Sequence, residues 1–372
     1  MRAAALTLLL TLAAPAAAQV CRPALPPLNP CTGSQTVRIA AVGDVMMHRA
    51  VQRRGYAYGF PGLWAAAAPW FRGADIAVAN LETPTAPGFR PGGRAGPDPG
   101  PVFDDRVYSG YPLFNAHPGL IDALRAAGVT VVTTANNPAL DRGPAGLAAT
   151  LDELDRRGMH HTGAIRPGAP RDFVLRLRMR IGTLALIGCS YDTNGIPDPH
   201  RQVLLCYRDR AELLGLVAHE AGRGAGVIVF PHWGAEYQHQ PQAIQRDLGR
   251  ALVAAGALAA IGAHPHVIQP WEAVPGPMGQ GLIAYSTGNF VSSQRSLPRA
   301  TGMIALADIC RGPTGLTVGA AGWVATLTAV DAQGLVVAIP DADADGTARQ
   351  ARALVERLVP GRAAGPCDPS GT

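Results

Sequence analysis

The chain has 372 residues, 48% of them hydrophobic and 16% charged, with a formal charge of +5. All 32 basic residues are arginine, which excludes a P-loop lysine and a Schiff-base lysine. They are scattered without a basic run, which disfavours a nucleic-acid groove.

The opening segment, MRAAALTLLLTLAAPAAAQVC, joins Arg2 to an apolar run (Ala3 to Ala14) too short to cross a bilayer as a stable helix. Ala16 to Ala18 offers a small-residue cleavage site before Gln19. Residues 1–18 are therefore predicted to be a secretory signal peptide, and the mature protein to be periplasmic or secreted without a stable membrane anchor. Val20 stands before Cys21, where a lipoprotein processing site would want a small residue. Residues 19–35 form a Pro-rich leader. Residues 36–372 are read as one domain with a C-terminal strand and helix extension. The six cysteines are Cys21, Cys31, Cys189, Cys206, Cys310 and Cys367. An even count in an exported chain predicts disulfides. The most local pairing is Cys21–Cys31, Cys189–Cys206 and Cys310–Cys367. None lies in a CxxC, which disfavours a zinc ribbon.

A strand is expected from Thr36 to Val42, ending at Gly43-Asp44, and a second from Ile76 to Ala79, ending at Asn80-Leu81-Glu82. The Pro/Gly-rich stretch from Thr83 to about Asp104 is long enough to be a lid or a mobile insertion. Pro118 to Ala127 reads as a helix closed by Gly128, and Val129 to Val132 as a strand. Pro144 to Arg157 is a helix with proline in its first turn and Gly158 at its end. Leu184 to Gly188 is a strand, Arg208 to Arg223 a helix, Val227 to Phe230 a strand, and Gln242 to Ala255 a helix. Ala257 to Ile261 and Leu282 to Tyr285 are strands. Thr347 to Leu358 is a late helix. Alternating strands and helices give the class α/β.

Polar residues able to bind metal fall at or just past several strand ends: Asp44, Glu82, Asn137, His232, His264 and His266. In open α/β sheets that edge gathers ligands. His264 and His266 lie at i, i+2, and on an extended backbone, which Pro265 favours at His264, both point one way. Two imidazoles on one side suit Zn, Mn or Fe. Each residue alone has a plainer reading. Asp44 fits an Asx-turn, Glu82 a solvated charge, His232 a hydrogen-bonded structural histidine, and the His-Pro-His a surface loop. Glu236 either orients His232 or is a surface charge. Asn289 either orients His266 or caps its turn.

The motifs GDVM (43–46), ANLETP (79–84), ANNPALDRG (135–143), HTGA (161–164), HWGAEY (232–237), GAHPHV (262–267) and YSTGNF (285–290) follow an order that resembles the binuclear metallophosphoesterases. The chain is more similar still to the CapA family, the poly-γ-glutamate capsule biosynthesis proteins with a PGA_cap domain. The resemblance implies a metallophosphatase-like four-layer sandwich, two β-sheets flanked by helices. It implies an envelope or extracellular setting, a link to capsule or anionic exopolymer, and two divalent ions (Mn, Zn or Fe). Asp44, Glu82, Asn137, His232, His264 and His266 match the positions that would ligate metal, with Asn136, Glu236 and Asn289 around them. The family usually reads A-N-N-H where this chain reads A-N-N-P, so Pro138 occupies the place of a histidine that could protonate a leaving group. Metallophosphatases read D-x-H at the first strand; here that place is Met46, a departure shared with the CapA branch. His48 either substitutes for a missing histidine or faces solvent on the next helix. The expected ligand is an anionic polymer or a phosphoester, handled by metal-assisted hydrolysis. The alternatives are a non-catalytic assembly component with a decayed site, and a zinc carrier.

Overall fold

The computed structural model describes residues 20–367; the segment read as a signal peptide lies outside them. The elements run β1 (Thr36–Val45), α1 (Arg49–Tyr58), α2 (Ala68–Arg72), β2 (Ile76–Asn80), β3 (Phe89–Arg90), β4 (Arg94–Ala95), α3 (Gly119–Ala127), β5 (Val131–Thr133), α4 (Gly143–Arg156), β6 (His160–Thr162), β7 (Val174–Met179) and β8 (Gly182–Ser190). They continue α5 (Arg210–Gly222), β9 (Gly226–His232), α6 (Ala243–Ala254), β10 (Ala257–Ile261), β11 (Ile268–Gly276), β12 (Gly279–Thr287), β13 (Asn289–Val291), α7 (Leu297–Ala300), β14 (Thr301–Gly312), β15 (Gly315–Asp331), β16 (Gly334–Ala338) and α8 (Gly346–Leu358).

One sheet has the order β16-β15-β14-β1-β2-β5-β6, with β13 also paired to β1; the other has the order β11-β12-β10-β9-β8-β7. In the first, β1, β2, β5 and β6 are parallel. In the second, β12, β10, β9 and β8 are parallel. The side-chain period of two sorts each central strand between two cores. From β1, Val37, Ile39 and Ala41 enter the core shared with Leu184, Leu186, Ile228 and Phe230 of the other sheet. Ala40 and Val42 enter the core shared with Leu120 and Leu124 of α3 and Leu147 and Leu151 of α4. On the far side, Val227 and Val229 of β9 pack with Leu213 of α5 and Leu248 of α6. The architecture is a four-layer α/β sandwich, helices outside and sheets within. With both faces covered, the central strands read as continuous apolar runs.

The disulfides are Cys21–Cys367, Cys31–Cys310 and Cys189–Cys206, so two of the three local pairings expected from sequence are corrected. Strand pairing decides the matter. Thr36 at the start of β1 is the register partner of Cys310 in β14, and Thr32 N–H donates to Arg311 O. Cys31 is thereby carried past Cys310. The leader packs onto the sheet rather than hanging from it, with Leu28 N–H donating to Gly319 O and Cys21 N–H to Pro69 O. The Thr83–Asp104 stretch carries the small β3–β4 hairpin and is held by buried groups. Asn115 Nδ2 donates to Ala86 O, and Arg142 Nε to Phe89 O. Among the described residues no helix is long and apolar enough to cross a membrane.

Candidate metal centre

The parallel strands of both sheets end on one side, and there the predicted residues meet. Asp44 is the penultimate residue of β1, Glu82 lies two past β2, His232 ends β9, and His264 and His266 follow β10. All five are 2% exposed or less. Asn137, buried at the start of a single 3₁₀ turn after β5, completes the group. Close backbone approach makes room for it. A Cβ on Gly43 would lie 2.0 Å from Gly288 O, and one on Gly262 would lie 2.2 Å from Tyr285 O. Only glycine fits at either place.

Asp44 Oδ2 accepts from His266 Nδ1 at 2.9 Å, and the same nitrogen faces Asn289 Oδ1 at 3.1 Å. Two acceptors place the His266 proton on Nδ1, leaving Nε2 bare, 4.0 Å from Glu82 Oε1. Asn289 thus orients His266, one of the two roles its position allowed. His232 is held by two amides. Its Nδ1 receives a hydrogen bond from Asn80 Nδ2 at 3.0 Å, and its Nε2 donates to Asn137 Oδ1 at 2.7 Å.

Asn80 is the residue that sequence reasoning passed over. Its other amide hydrogen goes to Asp44 Oδ1 at 2.8 Å. Its Oδ1 accepts from Thr133 Oγ1 and from Asn136 Nδ2. Asn136 therefore acts at one remove, holding Asn80. The signal was available in the A-N-L-E-T motif, where a strand-end amide stands two residues before the carboxylate. Tyr191, one residue past β8, was also missed; its ring centroid lies 4.3 Å from that of His264.

Two expectations are corrected. Neither histidine of the His-Pro-His loop is extended: φ is 96° at His264 and 58° at His266. Such conformations cost on the order of 1–3 kcal/mol each outside glycine. They are imposed by tertiary contacts, including Tyr237 N–H to Pro265 O at 2.8 Å. The rings still converge, with centroids 5.7 Å apart. Glu236 is exposed and does not orient His232, whose ring nitrogens are both engaged by asparagines. His48 does not face open solvent. Its ring meets Phe114 edge-on, and its Nδ1 accepts from Ser293 N–H at 3.4 Å. Met46 and Pro138 are both buried, and neither offers a proton.

The electrostatics describe a site built for cations. Burial lowers the His232 imidazole to about 3, only partly offset by Asp44. Burial and the neighbouring His232 and His266 also push His264 well down. These rings are neutral donors of lone pairs. Burial raises Glu82 well above the usual carboxylate range, reinforced by the charge of Asp44. Burial alone would raise Asp44 too, but the His266 hydrogen bond leads the influences that outweigh it and hold it low.

Whether these residues fit a metal can be tested on their unsatisfied atoms. Glu82 Oε2 and His264 Nδ1 are buried without a hydrogen-bond partner, a state that needs a reason. Donor atoms of Glu82, His264 and His266, and separately of Asp44, Glu82 and His232, lie within 4.8 Å of one another. Glu82 belongs to both sets. Oxygen and imidazole donors without sulfur suit Mn, Zn or Fe. The residues fit.

Residues 38–294 match the family model described as bacterial capsule synthesis protein PGA_cap. The chain is 28% identical over 262 residues to the PGA biosynthesis protein CapA of Bacillus subtilis, covering 68% of this chain and 62% of that one. It is 27% identical over 274 residues to the capsule biosynthesis protein CapA of Bacillus anthracis, covering 70% and 61%. The chain thus spans about three fifths of the length of these relatives. The solved calcineurin-like phosphoesterase YfkN of Bacillus subtilis aligns at 13% identity and TM-score 0.43, covering 87% of this chain and 99% of that one. At that score the likeness is too loose to argue from.

Proposed function

Because the chain belongs to the bacterial capsule synthesis protein PGA_cap family, we propose that it is an exported, metal-dependent hydrolase of phosphoester-type bonds in capsule or exopolymer metabolism. The observation that carries this reading is the buried convergence of Asp44, Glu82, His232, His264 and His266 around two partnerless atoms, Glu82 Oε2 and His264 Nδ1. In this reading Glu82, His264 and His266 would hold one divalent ion, and Asp44 and His232, with Glu82 near both sets and Asn137 beside them, would hold a second. Such ions polarise an ester oxygen and lower the pKa of water toward neutrality.

The chain's own residues set the rest. Asn80 and Asn289 fix the rings of His232 and His266. The Nε2–H that His232 donates to Asn137 Oδ1 points where a cation would lie, so the ring would have to take its other tautomer to offer Nε2 to a metal. Pro138 supplies no proton to a leaving group. General acid catalysis is typically worth about 10²–10⁴-fold, so the enzyme favours esters with acidic leaving groups. Three disulfides support an oxidising compartment, periplasmic or extracellular.

The test is metal content by mass spectrometry of the oxidised protein after exhaustive dialysis. About two equivalents are expected, reduced by His264→Ala. No bound transition metal would overturn the reading. It would favour the second one, a non-catalytic assembly component, for which the buried Pro138 and Met46 speak.

A further inference from the structure

Beside the metal centre sits a cation that the reading above does not use. Arg299, in α7, lies with its guanidinium carbon 3.8 Å from the centroid of the Tyr237 ring. The Tyr237 ring lies 5.9 Å from that of His266. Among the described residues Arg299 makes no ion pair, unlike Arg166, Arg171 and Arg176 on other faces. It is half-buried, and Tyr237 is 40% exposed. The pair is therefore reachable from solvent one ring away from His266.

Both partners are tied to the centre by their backbones. Tyr237 N–H donates to Pro265 O, between the two histidines. Asn289, whose Oδ1 faces His266, donates from Nδ2 to Arg299 O at 2.8 Å. Tyr237 is held at φ 64°, a costly conformation for an aromatic residue that persists only where the surroundings enforce it. Burial, and then the nearby Glu236, raises the Tyr237 phenol, and among the described residues Glu236 makes no ion pair with Arg299. A guanidinium held over an aromatic face leaves its N–H groups available, which suits two-point capture of an oxyanion.

We propose that Arg299, laid on Tyr237, is a specificity-determining residue that captures an oxyanion group of the ligand, carboxylate or phosphate, beside the metal centre. The proposal rests on reading the centre as the place where ligand is handled. It does not require that metal be bound.

The test follows arginine Nε–H resonances in labelled protein, assigned by Arg299→Gln, while glutarate or inorganic phosphate is added. It is run on chelator-treated and metal-loaded protein. The Arg299 resonance should move saturably with at least one anion, and the anion that moves it identifies carboxylate or phosphate as the source. Read by titration calorimetry, since the variants lack the reporting resonance, Arg299→Gln should weaken that anion about tenfold, with metal content unchanged, and Arg299→Lys should be intermediate. An Arg299 resonance that moves no more than that of the exposed Arg223, with both anions, overturns the proposal. Saturable movement in a protein that takes up no metal would overturn the hydrolase reading and leave this one standing.

Discussion

Replacing Asn80 by leucine should destabilise the metal-free protein and weaken its metal uptake together. Leucine keeps the branched shape but is bulkier, so an overpacking cost adds to the polar loss. Asn80 donates to Asp44 Oδ1 at 2.8 Å and to His232 Nδ1 at 3.0 Å, and accepts from Thr133 Oγ1 at 2.9 Å and Asn136 Nδ2 at 3.2 Å. All five side chains are 4% exposed or less, so water cannot replace these bonds. Asn136 keeps its bond to Leu81 O. That leaves three weakened groups: an imidazole nitrogen and a hydroxyl with no partner, and a carboxylate oxygen kept only by its 3.3 Å bond from His264 N–H. Each stranded buried group costs about 1–3 kcal/mol. Because the three are neighbours, the total will fall short of a simple sum, and about 3–5 kcal/mol is expected. Loss of a group that orients a ligand typically costs 10–100-fold in metal affinity. Urea denaturation in chelator reads the first quantity and competitive metal titration the second. A variant within about 0.5 kcal/mol of wild type, with unchanged affinity, would refute the account of Asn80 as the hub of the site.

Further outcomes separate the roles of the other residues. Glu82→Gln should lower metal stoichiometry toward zero, since Glu82 belongs to both donor sets. The same change should raise the denaturation midpoint in chelator, because it removes a buried carboxylate facing Asp44. His232 and His48 are lowered to about 3 and about 4, from about 6.5 when unfolded. The unfolded chain therefore binds more protons, and metal-free stability should fall as pH drops below about 6.5. A flat profile between pH 6.5 and 4 would contradict this. Pro138→His should narrow the gap between rates on aryl and alkyl phosphodiesters. Equal wild-type rates on both classes would sink the argument from the missing acid.

The central strands were legible because both their faces are covered, so V-R-I-A-A-V and G-V-I-V-F stand out as apolar runs broken by glycine or a polar residue. β7 was passed over although its V-L-R-L-R-M alternates, because it is an edge strand with charged side chains. β6 spans only His160–Thr162, too short to carry a period of its own; it exists through its pairing with β5. At the site, the ligand types were readable from residues at strand ends. The backbone at His264 was not, because a local preference set by Pro265 yields to tertiary contacts. Asn80 was hidden for a related reason. An asparagine after a strand resembles a turn former, and only the fold reveals that all its hydrogen-bonding capacity is spent inside. Cysteine pairing followed sheet register, which no count of intervening residues contains.

The Cys21–Cys367 bond changes what the chain is mechanically. Everything between those two residues is a covalent ring, and the Cys31–Cys310 bond draws a second ring inside it. A load applied to the two termini passes through sulfur and never reaches the hydrogen bonds of either sheet. A machine that threads proteins from a free end would meet a knot of fixed covalent girth, and would stall until a reductant opened it. The oxidised protein is therefore insulated from unravelling at its ends, and its exposure to such machines is set by the thiol chemistry of its surroundings rather than by the strength of its core.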